Sequence, residues 1–152
     1  MPHEVDLPRF GTLTYADDDV IEFPWGLPGF ADHRRFLVLS LDGPGPFLWL
    51  QSLDDLKVAL PIANPWDVFP DYKPPIPYYA RVALELEEPA DFVLYCVVIC
   101  TAGATELTMN LLAPIIINLK RRRARQVMLE SSRYAVRQPI PRTDALKEAL
   151  RS

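Results

Sequence analysis

Apolar residues along this chain fall into short blocks separated by clusters of Pro, Gly and acidic residues, and few of the blocks carry helical spacing. Phe47–Gln51 and Val58–Ala63, joined by the polar Ser52–Lys57, read as a hairpin. Arg35–Leu41 is apolar at consecutive positions. So is Asp91–Thr101, where β-branched and aromatic residues predict a strand buried on both faces. Arg9–Tyr15 alternates loosely about Gly11, and Val20–Phe23 is a short strand. Asp42–Pro46 and Ala102–Thr105 are connections. Leu107–Asn118 contains Pro114, which suits a strand start or bulge, so Ile115–Leu119 forms the following strand. Gln126–Glu130 is read as its partner, with Lys120–Arg125 as a charged hairpin tip. Two readings stand for residues 74–88. Val82, Leu84 and Leu86 alternate like a strand, whereas Pro77 could open a short helix. Thr143–Arg151 carries Leu146, Ala149 and Leu150 on one stripe, the pattern of a short amphipathic helix. Some eight closely spaced strands with little helix predict a single antiparallel sandwich or barrel over residues 1–140, followed by a tail at 141–152.

Composition narrows the class. With 49% hydrophobic and 24% charged residues in 152, the chain can bury a core, and its 16 prolines disfavour long helices. No run approaches 18 apolar residues, and the N-terminus lacks the basic and apolar regions of a signal peptide. The expectation is therefore a cytoplasmic protein with no membrane association and a frayed N-terminus. Cys96 and Cys100 sit in an apolar run without neighbouring metal ligands and read as small buried hydrophobes.

Charge is unevenly distributed. Residues 1–119 carry 17 acidic and 6 basic side chains, residues 120–152 carry 3 acidic and 10 basic, and the net charge is −4. An acidic body of this kind steers towards basic partners. The Lys120–Arg125 run raises nucleic-acid binding as an alternative, but it contains no aromatic residue for base stacking and adjoins the acidic body.

Catalytic patterns are missing. The chain has no Gly-rich phosphate loop, no nucleophile elbow and no spaced His/Cys set, so neither an enzyme nor a cofactor or metal site is expected. His3 and His33 fall in the terminus and in a polar connection. The acids at Asp17–Asp19, Asp54–Asp55 and Glu87–Glu88 lie in turns, where neighbouring carboxylates point apart into solvent instead of forming an acid–base pair. Phe23–Phe30 holds two prolines and two glycines, which forbid regular structure, while Phe23, Trp25, Leu27 and Phe30 need burial. It is an ordered loop, either a lid on the core or a binding surface.

Several segments together resemble the flagellar assembly factor FliW family: Arg9–Leu13, Glu22–Phe30, Arg35–Leu39, Phe47–Asp55, Phe69–Tyr72, Met109–Asn118 and Gln126–Val127, in the family's order. The chain departs from the family pattern at Leu56 after Asp55, at Asn64-Pro65, at Pro74–Tyr79 and at Gln138. The resemblance implies a mainly β, single-domain antiparallel β-barrel-like fold with one or two short helices, and favours the helix at 77–84. It also implies a non-enzymatic protein that binds flagellin and, alternately, the RNA-binding translational repressor CsrA, so that flagellin level sets flagellin translation. On that reading the partner-binding residues are Phe23, Pro24, Gly26, Leu27, Gly29 and Phe30 in the loop; Gln51, Ser52, Asp54 and Asp55 at the hairpin; Asp67, Asp71 and Tyr72 beyond it; and Asn110, Leu111, Ala113 and Pro114.

Overall fold

Apolar blocks this short and this rich in β-branched residues satisfy their backbone groups by pairing with one another, and the computed structural model is accordingly built from strands. It describes residues 2–40, 47–87, 92–100, 107–131 and 133–141. The connections expected at 42–46 and 102–105, Glu88, the tail helix at 143–151 and the side chain of Cys100 lie outside what is described. The strands are β1 (Pro2–Leu7), β2 (Gly11–Ala16), β3 (Ile21–Glu22), β4 (Arg35–Leu39), β5 (Phe47–Ser52), β6 (Ala59–Ala63), β7 (Phe92–Cys100), β8 (Leu107–Met109), β9 (Ile115–Asn118), β10 (Arg123–Gln126) and β11 (Gln138–Pro139). The single α-helix among the described residues, α1, is Tyr78–Ala83.

The sheet runs β7-β6-β5-β4-β3-β10-β9, and β9 pairs back onto β7, which closes seven strands into a barrel. β8 and β11 branch from β7. The antiparallel expectation holds with one correction: β3 and β10 run parallel, joined at Glu22 and Arg123, where the Glu22 amide donates to the Arg122 carbonyl at 2.8 Å. The predicted hairpin is β5–β6, in register from Phe47 against Ala63 to Gln51 against Ala59.

β7 reads as apolar on both faces because each face meets a different core. Val93, Tyr95 and Val97 pack on the barrel interior around Phe23, Phe36, Leu50, Ile62, Ile115 and Ile117. Leu94, Cys96 and Val98 face an outer layer that includes Tyr72, Ala80, Leu84, Met109 and Ile116. β9 divides in the same way, with Ile115 and Ile117 inward and Ile116 outward. Cys96 is buried and free, and burial pushes its thiol up to about 12 despite its contact with Tyr72, so it remains an uncharged core residue at neutral pH.

The choice at 74–88 resolves as helix. Ala80 and Leu84, one turn apart, cover the outer core, whereas Val82, which strand alternation would have placed on the same face, is 57% exposed. Glu85 at φ 54 ends the helix, with the Leu86 amide donating to Arg81 O at 2.9 Å, and Asn118 Nδ2 donates to Leu84 O at 2.7 Å. The basic run is not only a hairpin tip. Arg123–Gln126 is a strand, earlier than expected, because Ala124 points into the barrel between the outward Arg123 and Arg125. Nor is the N-terminus frayed: β1 pairs with β2 from Pro2 to Leu7, through polar cross-strand contacts such as Thr12 Oγ1 donating to Asp6 at 2.6 Å. The Arg9–Phe10 turn of this ribbon lies on Trp49, with the guanidinium 4.7 Å from the ring centroid.

Gly26 and Gly29 bend the loop that plugs one end of the barrel. Gly26 has φ +65, and a Cβ there would meet the Ala31 backbone at 2.5–2.9 Å, whereas Gly29, at φ +83, faces open space. Gly26→Ala is therefore expected to destabilise the fold by about 2–4 kcal/mol, and Gly29→Ala by only about 1–2 kcal/mol. Chemical denaturation midpoints of the two variants check this, and equal losses would contradict it.

Candidate functional site

The residues marked out in the sequence fall into two groups, because β6 separates the Ser52–Lys57 turn from Asn64 by five strand residues, about 16 Å. The first group joins the Phe23–Phe30 loop to the hairpin turn. Phe23 and Leu27 are buried in the barrel core, Gly26 is buried, Pro24 and Phe30 are half-buried, and Gly29 is exposed. Leu27 and Phe30 close the loop with reciprocal backbone bonds of 3.3 and 2.7 Å. Trp25, expected to be buried, is 48% exposed, because its neighbour Phe23 takes the inward position.

The turn is held by its polar side chains. Ser52 is buried, and its Oγ accepts from the Asp54 and Asp55 amides, both at 3.1 Å. The same Oγ is hydrogen-bonded to His33 Nδ1 at 3.1 Å. Gln51 is also buried, and its Nε2 donates to the carbonyls of Ser52, Leu56 and Val58. Gln51 and Ser52 therefore shape the turn from beneath. Asp54 and Asp55 are exposed but not idle. Asp54 Oδ2 accepts from the Arg34 and Arg35 amides at 2.6 and 2.9 Å, and Asp55 Oδ1 from the Lys57 amide at 3.1 Å. Partial burial pushes the Asp54 carboxyl up, but the two amide donors, with the charges of Arg35 and His33, outweigh it and hold the group below its ordinary value.

The second group lies along the outer core. Asn64 Oδ1 accepts from the Trp66 amide at 2.9 Å and caps the 3-10 turn Pro65–Asp67, so Asn in this position keeps a capping acceptor. Asp67 and Asp71 are exposed. Tyr72 is buried, donating to Leu111 O at 2.6 Å, and burial raises its phenol pKa well above the ordinary value. Leu111, Ala113 and Pro114 are buried, and half-buried Asn110 accepts from the Ala113 amide at 3.0 Å. Of the residues chosen from sequence, those that present side chains outward are thus the four aspartates, with Pro24, Phe30 and Asn110 partly so.

One cluster escaped the sequence. Arg125 lies 4.6 Å from the Trp25 ring centroid and 5.1 Å from that of Tyr79, residues far apart in the chain. The alternation Arg-Ala-Arg-Gln at 123–126 was the available signal for an outward Arg125, but nothing in the sequence linked it to those rings. Among the described residues no group of three His, Cys, Asp or Glu could hold a metal ion, and no helix is long and apolar enough to cross a membrane.

The Asp54 contacts predict a measurable acid dependence. Asp54→Ala is expected to cost about 1–2 kcal/mol, and Asp54→Asn less, since an amide oxygen can still accept. Because the folded carboxyl titrates below its ordinary 3.8, its charge-dependent contribution is complete above that pH and is lost as pH falls through the folded pKa. The stability difference between wild type and Asp54→Asn should therefore be constant near neutrality and shrink below pH 3.8, as followed by urea denaturation across a pH series.

Comparison with known proteins agrees with this architecture. The family model described as FliW protein matches residues 4–140. The flagellar assembly factor FliW of Syntrophus aciditrophicus is 35% identical over 137 residues, covering 90% of this chain and 87% of its own. That of Caldicellulosiruptor saccharolyticus is 34% identical over 128 residues, 84% of each chain. A crystal structure of the flagellar assembly factor FliW superposes with a TM-score of 0.83 at 26% identity, covering 92% of this chain and 98% of that one. A match across nearly the whole barrel, in sequence and in fold, shows that the chain belongs to the FliW family of flagellar assembly factors.

Proposed function

We propose that this chain is a non-enzymatic, cytoplasmic regulator that binds flagellin and, alternately, a CsrA-type RNA-binding repressor, so that the two partners compete for it. The observation that supports this reading best is the set of outward carboxylates Asp54, Asp55, Asp67 and Asp71 on a closed barrel. A protein that holds RNA carries basic surface, and carboxylates fixed by backbone contacts meet such a surface with little further loss of side-chain freedom. Asp54 is held in this way by the Arg34 and Arg35 amides, and Asp55 by that of Lys57. The half-buried Phe30, packed on His33 beside that turn, offers apolar contact area next to the charge.

Direct nucleic-acid binding has weaker support. Within the basic run, Arg121 is engaged with Glu85 at 3.0 Å, and Arg122 donates to the Asp19 carbonyl at 3.1 Å. These two cations hold neighbouring elements together.

Purified protein mixed with flagellin and the repressor from its own host should hold each, and each should displace the other; failure to do so removes the regulatory reading. Asp67→Lys combined with Asp71→Lys leaves the Asp54 contacts intact. It is expected to weaken the repressor complex by about tenfold and flatten its salt dependence, measured by titration calorimetry over a salt series. Unchanged affinity and salt slope would remove those two aspartates from the surface.

A further inference from the structure

The outer face on which Arg125 stacks has the composition of a binding surface of its own, opposite in sign to the aspartates. On α1, Tyr78, Tyr79 and Val82 share the helix face turned away from Ala80 and Leu84, and are 79%, 43% and 57% exposed. Trp25 adds a half-exposed indole from the loop, and the Arg125 guanidinium touches both Trp25 and Tyr79. Large aromatic side chains left in water beside an arginine are unusual on a monomer surface, and they are the residue types that dominate binding energy where partners meet.

We infer that Trp25, Tyr79, Val82 and Arg125 form a docking site for a segment of a partner protein that carries carboxylates next to apolar side chains. Charge complementarity selects the occupant. Arg123 projects outward from the same strand as Arg125, Arg81 is exposed on α1, and among the described residues neither Arg123 nor Arg125 is paired with a carboxylate. The stacked rings hold the Arg125 fork in place, so a carboxylate can accept two parallel hydrogen bonds without first ordering the side chain. The rings and Val82 then take the apolar neighbours of that carboxylate. A polyanion fits less well. With Arg121 and Arg122 engaged elsewhere, Arg81, Arg123 and Arg125 would neutralise only about two or three phosphates, while a longer strand would run onto the acidic body. This site goes beyond the competition proposed above and does not depend on it, since it is a second surface selecting the opposite charge.

A random peptide library selected on the immobilised full chain tests the site. The peptides enriched are expected to carry Asp or Glu beside Leu, Phe or Trp. Their affinity for the soluble chain, read by fluorescence anisotropy, should fall about tenfold or more in Trp25→Ala and in Arg125→Ala. Arg125→Lys should restore little, because an ammonium lacks the planar fork. Tyr79→Ala provides an independent variant should Trp25→Ala fold poorly. The site is overturned if no peptides are enriched, if those enriched lack carboxylates, or if binding survives loss of Trp25, Tyr79 and Arg125. It is overturned equally if single-stranded oligouridine, and not the peptides, binds in an Arg125-dependent way.

Discussion

Closure of the barrel through β7 is the constraint on which the other elements depend. β7 pairs with β6 on one side and β9 on the other, and it carries β8 as a branch, so it is covered along both edges and on both faces. An inward polar residue would sit in the barrel core, and an outward one would face the layer beneath α1 and the Tyr72 segment. That double demand explains an apolar run without alternation from Phe92 to Ile99. It also explains why Cys96 behaves as a hydrophobe and not as a reagent.

From this framework follows the division of labour along the Phe23–Phe30 loop and the hairpin turn. In Phe23–Phe30, Phe23 and Leu27 anchor the plug, Gly26 permits its close approach to Ala31, and Trp25 is turned out to meet Arg125. In Ser52–Asp55, a buried hydroxyl positions two amides whose carboxylates then reach outward or back to β4. The same short stretch therefore serves folding and presentation together, and the side chains that are exposed owe their positions to ones that are not.

How much of this was legible in the sequence depends on the kind of signal. The β5–β6 hairpin, β7 and β9 were readable because burial imposes unbroken apolar runs. β1 was not, since Val5 and Leu7 give it only two alternating apolar side chains among polar ones, too short a period to mark a strand. β10 was hidden by its arginines, although Ala124 marked the inward position. Burial of Gln51, Ser52 and Tyr72 was equally hidden, because Gln51 Nε2, Ser52 Oγ and the Tyr72 hydroxyl each meet carbonyls, amides or an imidazole supplied by other parts of the turn or chain. The Trp25–Arg125–Tyr79 stack needs three elements brought together by the tertiary fold, which no local pattern encodes.

A closed ring also removes most of the open strand edges on which proteins polymerise. Among the described residues, the outer side of the β8–β11 branch and the separate β1–β2 ribbon stay open. Pro139 lies in β11 and Pro2 opens β1, and neither can donate a backbone hydrogen bond to an incoming strand. An extended segment from another molecule therefore meets an interrupted ladder along β11 and at the start of β1.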